Sequence, residues 1–367
     1  MSSPDTTNPP FLISVVVVNY NCKRWLERFF PSLRAQTIFD RAEIIIVDNT
    51  SKDGSAEICE QEMAAWPNGV FLQTGGNYGF GGGSNRGATI ARGKYLFFLN
   101  PDVWLQPDCL EELVRHAEAD KIKVAGPLVL DYDSDQVQVI GASGFDLFGG
   151  MIPARSGERC DRLFAIGTFF FIERELFQKL GGFDEELFLY NEEMDLSWRS
   201  WIAGESIRSI PAAHIHHQGA SSGERAVENR TNETKRFYAN RNQLLVIFKN
   251  AQSLLLVLAL SQTALIVVEA AVGAILARRP SFLHWALFKP MADCWRLRRH
   301  IGGQRKKNYL IRQHGDWWML RHFFRFGFGR WADVKRLFQF GVKIEKSWPT
   351  TASPKASTTS SSTRPAP

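Results

Sequence analysis

A chain of 367 residues, 44% apolar and 22% charged, has the balance of a globular protein and room for an α/β domain of about 200–250 residues plus a further segment. Its five cysteines (Cys22, Cys59, Cys109, Cys160, Cys294) are scattered and never paired as CxxC, which argues against a disulfide framework or a zinc site and fits a reducing compartment. The net charge of +6 hides an asymmetry: residues 1–277 carry 25 Lys and Arg against 34 Asp and Glu, whereas residues 278–346 carry 17 against 4.

Residues 1–10 are polar, with no basic stretch leading into an apolar one, so no signal peptide is expected and the body of the chain is expected in the cytosol. Ile13–Val18 is a β-branched, almost wholly apolar run, as in a strand covered on both faces; it ends at Asn19-Tyr20-Asn21. Trp25, Leu26, Phe29, Phe30 and Leu33 then recur at helical spacing. Glu43–Val47 predicts a second strand ending at Asp48, and Ser51–Ser55 a turn into a second helix. Val70–Gln73 is a short third strand, followed by a glycine-rich loop (Gly75–Gly83), a helix over Ser84–Arg92 and a buried strand at Leu96–Leu99. Strands and helices alternating at this spacing predict βαβ units and a mostly parallel sheet.

Pro107–Ala119 predicts a helix, Val124–Leu130 and Val137–Ile140 strands, Phe164–Ile172 a buried strand, and Glu173–Leu180 a helix stopped by Gly181-Gly182. Another helix opens at Tyr190–Asp195 and runs to about Ala203; a histidine cluster (His214, His216, His217) follows. Residues 251–277 form a long apolar stretch, 278–346 are basic and rich in Trp and Phe, and the Ser/Thr/Pro-rich last twenty are expected to be disordered. The organisation expected is thus a disordered 1–10, a catalytic domain over 11–240, a basic helical segment over 241–346 and a disordered 347–367.

Four strand ends carry polar residues: Asn19, Asp48, Asn77 after the third strand, and Asp102 in Asn100-Pro101-Asp102. Strand-end Asn and Asp often cap the following helix, but four on one edge of a parallel sheet point to a ligand cleft. The glycine stretch is not a dinucleotide fingerprint, because Ser84 stands where GxGxxG starting at Gly79 requires its last glycine, and it follows the third strand. Its glycines let backbone approach a ligand, and Asn77 and Asn85 add amide groups. Glu192, Glu193 and Asp195 crowd one first turn. They complement the helix dipole, yet three carboxylates also repel one another, which raises at least one pKa and suits a general base. Glu192 and Asp195 share a face at i, i+3; Glu193 points elsewhere.

The ordered set Val-Val-Val-Asn-Tyr-Asn (16–21), Val47-Asp48-Asn49 with Asp53-Gly54-Ser55, the glycine stretch 76–85, Leu-Asn-Pro-Asp (99–102), Gly-Gly-Phe-Asp-Glu-Glu-Leu-Phe (181–188) and Glu-Glu-Met-Asp-Leu (192–196) resembles the family 2 inverting glycosyltransferases with a GT-A fold, in their rhamnosyltransferase-like branch. The resemblance covers about 11–245. It implies an α/β fold, a mostly parallel sheet flanked by helices; the C-terminal helical membrane-associated segment is expected from its own apolar and basic composition. It implies that Asn19, Tyr20, Asp48, Asn77, Gly79, Asn85 and Asn100 serve a nucleotide pocket. Asp102 would bind a divalent metal (Mg2+ or Mn2+), joined by His216, which precedes a Gly-x-Ser at Gly219 and Ser221. The catalytic base corresponds to Glu193, where the family usually has Asp, and Glu192 and Asp195 stay as candidates.

The expected activity is transfer of a sugar, L-rhamnose from dTDP-rhamnose first and a UDP-hexose or UDP-galactofuranose next, to a lipid-linked or cell-surface glycan acceptor. A catalytically inactive sugar-nucleotide-binding module is the alternative. A basic segment after 251–277 seeks an anionic surface. Its aromatics interleave with Leu and Ile and form no base-stacking platform, which disfavours nucleic acid. A single crossing by 251–277 would part the two cytosolic portions, so the helix is expected to lie in or dip into the cytoplasmic leaflet of the inner membrane, peripheral or monotopic, with Glu269 facing out.

Overall fold

The computed structural model describes residues 10–154, 161–165, 169–218, 230–327 and 343–344. The first strand, β1 (Phe11–Asn19), alternates between two cores: Ile13, Val15 and Val17 enter one, Val16 and Val18 the other. β2 (Ala42–Asp48) and β4 (Gly93–Leu99) repeat the pattern, with Ile44, Ile46, Phe97 and Leu99 on the first side and Ile45, Val47, Leu96 and Phe98 on the second. Period-2 side chains buried on both faces give a sheet sandwiched between helices. With β3 (Gly69–Gln73), these strands form the parallel half of the sheet, in the order β3-β2-β1-β4. One face is covered by α1 (Lys23–Arg34) and α2 (Ser55–Ala65), the other by α3 (Gly79–Ile90).

Beyond β4 come a short β5 (Val103–Leu105), α4 (Cys109–Asp120), β6 (Val124–Asp131), β7 (Val137–Val139), and a hairpin of β8 (Ala142–Phe145) with β9 (Met151–Pro153). Next are β10 (Phe170–Glu173), α5 (Arg174–Leu180), α6 (Glu192–Ile202) and β11 (Ile207–His217). β10 runs antiparallel between β4 and β6, β11 parallel to β6, and β5 antiparallel on the edge of β11. A mixed second half is thereby joined to the parallel first half in one nine-stranded sheet.

Two expectations change. The buried strand anticipated over Phe164–Ile172 is shorter: Phe164 makes an isolated bridge to Ala142, the ladder begins at Phe170, and 166–168 lie outside the described residues. The glycine stretch is not wholly a loop, because α3 starts at Gly79. Gly87 shows the reason, since a Cβ there would lie 2.4 Å from Val16 Cγ1; the glycines let α3 lie flush on β1.

The C-terminal part consists of α7 (Glu233–Asn250), α8 (Val257–Leu276), α9 (Ser281–Leu283) continuing through a wider turn (His284–Phe288) into α10 (Lys289–Arg296), then α11 (Arg298–Ile311) and α12 (Asp316–Phe323). The composition changes near residue 240, in the middle of α7, and Leu244–Ile247 of that helix share the core of Val16, Phe98 and Trp198. Among the described residues, α8 is the one helix long and apolar enough to cross a membrane. Its inner face buries Leu258, Gln262, Ile266 and Ala270, while Leu260, Val268 and Ile275 are exposed. Glu269 was expected to face out; it instead pairs with Arg236 of α7 at 3.3 Å.

Candidate active site

The parallel half of the sheet ends in one polar edge. Asn19 and Asp48 pair in register across β1 and β2, both fully buried. Asn19 Nδ2 donates to Asp48 Oδ1 (2.8 Å) and to Ser55 Oγ (3.0 Å), while Asp48 Oδ2 accepts from the Ser51 amide (3.0 Å). Asn19 Oδ1 is buried with no partner, an acceptor left for a ligand's donor. Asp53 accepts from the Lys23 amide (2.9 Å) and from Ser55, tying the loops after β1 and β2 together. Tyr20, exposed, stands at the rim of these loops.

The third loop meets this edge through Asn49, whose Nδ2 donates to the Gly79 carbonyl (2.9 Å). Asn77 Oδ1 accepts from the Gly79 amide (2.9 Å) and turns the chain into α3. Gly79 has φ +70°, and a Cβ there would lie 2.0 Å from the carbonyl oxygen of Phe188. Only glycine fits both constraints. Asn85 is committed elsewhere: its amide donates to the Phe183 carbonyl and accepts from the Phe183 amide, each at 2.9 Å. It clasps α3 to the turn before α6, facing away from the Asn19–Asp48 edge in its bonding.

The loop 188–191 is strained. Phe188, Tyr190 and Asn191 all have positive φ, costing of order 1 kcal/mol or more each. α7 holds it in place: Asn242 Nδ2 faces the carbonyls of Leu187, Leu189 and Tyr190 at 2.7–2.8 Å, and Arg241 donates to those of Glu186 and Leu187. The sequence reading missed both residues. The polar Asn240-Arg241-Asn242 triplet opening an otherwise apolar helical run was the available signal.

The loop delivers the three acidic residues of α6 to different environments. Asp195 is fully buried: Arg199 donates to Oδ2 (2.9 Å from Nε), and Lys249 and Asn250 to Oδ1 (2.9 and 2.8 Å). Burial alone would raise its pKa, but the Arg199 guanidinium and the Lys249 ammonium outweigh it and hold the carboxyl below its ordinary range. Asp195 is thus an anchor whose two carboxyl oxygens are taken up by Arg199, Lys249 and Asn250, which argues against it as the base. Glu192 is also buried, against the first turn of α3, with Oε1 unpartnered. Burial, then the charge of Glu193, push its pKa up to about 8, so it is mostly protonated at neutral pH. Glu193 is half-buried on the other side of the turn.

The histidine assignment also changes. Adjacent strand residues face opposite ways, and His216 points into the sheet. Its ring stacks on Trp104 at 3.7 Å, Nδ1–H donates to the Asp131 carbonyl (2.8 Å), and Nε2 contacts Gln106 (3.1 Å). Both nitrogens are used and burial lowers its pKa, so His216 is a neutral core residue that cannot join Asp102. His217 faces Asp102 instead, Nε2 to Oδ2 at 3.5 Å. Its Nδ1 lies 2.8 Å from Gln138 Oε1, whose amide nitrogen faces Asp131 Oδ1 and the His217 carbonyl. That arrangement makes Nδ1 the donor to Gln138 and turns Nε2 toward the carboxylate. Asp102 Oδ1 is buried and unpartnered. Two converging acceptors, one orphaned and one oriented by an outer hydrogen bond, fit a divalent cation. Among the described residues no third His, Cys, Asp or Glu joins them. Asn100 is half-buried just before this pair; Gly219 and Ser221 lie outside the described residues.

A parallel β-edge collecting Asn19, Asp48 and Asn77, closed by an acidic helix, is a nucleotide-sugar transferase arrangement on an α/β scaffold. Comparison with known proteins agrees. Residues 14–181 match the family described as "Glycosyl transferase family 2". The chain is similar to the N-acetylglucosaminyl-diphospho-decaprenol L-rhamnosyltransferase of Mycobacterium tuberculosis H37Rv, 29% identical over 246 residues, 58% of this chain and 78% of that protein. It is also similar to rhamnosyltransferase WbbL of Escherichia coli K12, 21% identical over 252 residues, 62% and 93% of the two chains. Among solved structures, GalNAc-T7 with UDP, GalNAc and Mn2+ has the same fold, at TM-score 0.53 and 21% identity. That match covers 66% of this chain and 48% of that one. S. aureus TarS 1-349 matches at TM-score 0.50 and 15% identity, over 82% and 88%. Residues 14–181 thus carry the family 2 glycosyltransferase match, and the chain is a glycosyltransferase using a nucleotide-sugar donor, similar to rhamnosyltransferases.

Proposed function

We propose that the protein is an inverting, metal-dependent glycosyltransferase acting on a lipid-linked or glycan acceptor, with Glu193 as the base. The observation carrying this reading is the difference among the three carboxylates: Asp195 is held in ion pairs, Glu192 is buried with its pKa raised, and Glu193 is only half-buried. The Glu193 carboxylate takes the proton of an acceptor hydroxyl as that oxygen attacks the anomeric carbon, opposite the leaving diphosphate. A single displacement inverts the centre. Neutral Glu192 beneath it lowers the charge that an ionised pair would concentrate there.

Asn19, Asp48 and Asn77 would hold the base and ribose side of the nucleotide, with the orphaned Asn19 Oδ1 accepting from it. Asp102 and His217 would hold a Mg2+ or Mn2+ ion, which when bound offsets charge on the diphosphate. A dTDP-rhamnose donor is supported by similarity to the two rhamnosyltransferases, and the diphospho-decaprenol in the M. tuberculosis relative's name favours a lipid-linked acceptor. The exposed apolar face of α8 (Leu260, Val268, Ile275) and the exposed Trp295 and Trp317 in the basic segment support attachment to the cytoplasmic membrane surface.

A thermal-shift series with dTDP, UDP and GDP, each with and without Mn2+ or Mg2+, tests the reading on wild type and Asp102→Ala. Metal-dependent stabilisation by dTDP, lost in the variant, is the expected result. No response to any nucleotide would overturn the reading, whereas stabilisation without sugar transfer would point to an inactive sugar-nucleotide-binding module.

A further inference from the structure

Away from the donor edge, the end of α7 and one face of α11 enclose a cavity of about 430 Å³. Four cations line it, Lys249, Arg305, Lys306 and Arg312, and no carboxylate does. Both guanidiniums are fixed before any ligand arrives. Arg305 Nη1 donates to the carbonyls of Phe248 (2.6 Å) and Ala251 (2.7 Å), and Arg312 Nη2 to that of Asn250 (2.6 Å). Neither has an ion-pair partner among the described residues. Asp316 nearby is occupied by the backbone amides of Gln252 and Leu255, at 2.8 and 2.7 Å. Burial holds the Arg312 pKa below its usual value against the opposing charge of Asp316, with Arg305 beside it adding to the lowering. Lys306 is exposed with no ion pair among the described residues. At the mouth stand Tyr309 and Leu310, 76% and 83% exposed. Preorganised cations inside and apolar side chains at the rim fit a ligand with a polyanionic head and a hydrocarbon tail.

The cavity also abuts the catalytic helix. Lys249, a lining residue, sends its buried ammonium away into pairs with Asp195 of α6 (2.9 Å) and Asp184, so the ligand-facing charge is that of Arg305, Lys306 and Arg312. We propose that this cavity binds the diphosphate of a prenyl-diphosphate-linked acceptor, with Tyr309 and Leu310 on the first part of the chain. The assignment rests on the reading that the acceptor is lipid-linked.

The test measures binding of farnesyl diphosphate to the full chain, with farnesol, inorganic pyrophosphate and phosphatidylglycerol vesicles as comparisons. Wild type, Lys306→Glu and Leu310→Asp are compared; both altered side chains are exposed, so the fold should be retained. Farnesyl diphosphate is expected to bind at least about tenfold tighter than farnesol or pyrophosphate, and each substitution to weaken it about tenfold. Unchanged binding in Lys306→Glu, or farnesol binding as tightly, would overturn the proposal. Vesicles competing as well as farnesyl diphosphate would assign the cavity to the bilayer and overturn it too. Wild-type protein that binds farnesyl diphosphate but transfers no sugar would sustain the cavity while defeating the proposed function. Transfer to a water-soluble acceptor without farnesyl diphosphate binding would do the reverse.

Discussion

The Phe188 carbonyl oxygen occupies the space where a side chain at Gly79 would begin, 2.0 Å from an ideal Cβ. One contact therefore joins the glycine-rich stretch beside the nucleotide edge to the strained loop that presents Glu192 and Glu193. Gly79→Ala must move one of them and adopt a left-handed backbone besides. A loss of about 2–3 kcal/mol in stability is expected, with a larger loss of transfer than of nucleotide binding. Urea unfolding and steady-state kinetics check it, and a variant with wild-type kcat would show the contact to be slack.

Glu192 gives a pH signature. Its pKa is raised from the ordinary carboxylate value to about 8 in the folded protein, so the folded state holds this proton more tightly than the unfolded chain does. Its contribution is complete below the unfolded value and is lost as pH climbs toward about 8. Glu192→Gln, which cannot ionise, should melt above wild type at pH 8 by an amount worth about 2 kcal/mol, and near it at pH 5. An identical gap at both pH values would contradict the buried, protonated carboxyl.

Asp195 behaves oppositely. Its pKa is lowered on balance by Arg199 and Lys249, so its stabilisation is present above the unfolded carboxylate value and fades as pH falls through the folded one. Asp195→Asn leaves buried cations short of a partner, and a loss of about 3–5 kcal/mol is expected at neutral pH. The gap in denaturant midpoint between mutant and wild type should be the same at pH 7 and about pH 5, and should narrow only as pH falls below the ordinary carboxylate range.

The two neighbouring histidines should separate cleanly. His217→Gln removes the group facing Asp102 and should raise the Mn2+ concentration needed for half-maximal activity about 10–100-fold. His216→Gln breaks the stack on Trp104 and should lower Tm while leaving that concentration unchanged. Reversed outcomes would restore His216 to the metal.

The strand ends were legible in the sequence because strands buried on both faces leave long apolar runs whose stops stand out, as at Val18-Asn19 and Val47-Asp48. The division of labour among Glu192, Glu193 and Asp195 was only half legible. Helical spacing separated Glu193 from the other two, but Arg199, Lys249 and Asn250 are needed to see that Asp195 is an anchor, and two of those lie some 55 residues away. For His216 and His217, alternation says that one faces the cleft without saying which; the β11–β5 register decides it. The grip of Arg241 and Asn242 on the 186–190 carbonyls was signalled only by a polar triplet in an apolar run, since it uses backbone acceptors that leave no mark in the acidic motif they support.

The central claim is that Glu193 is the base. Transfer from dTDP-rhamnose to a prenyl-diphosphate-linked acceptor should be measured for Glu193→Gln beside wild type, together with dTDP binding. A fall in kcat of about 10²–10⁴-fold, with dTDP affinity held within about twofold, is the predicted result. Turnover at the wild-type rate would contradict the account and return the role to Glu192.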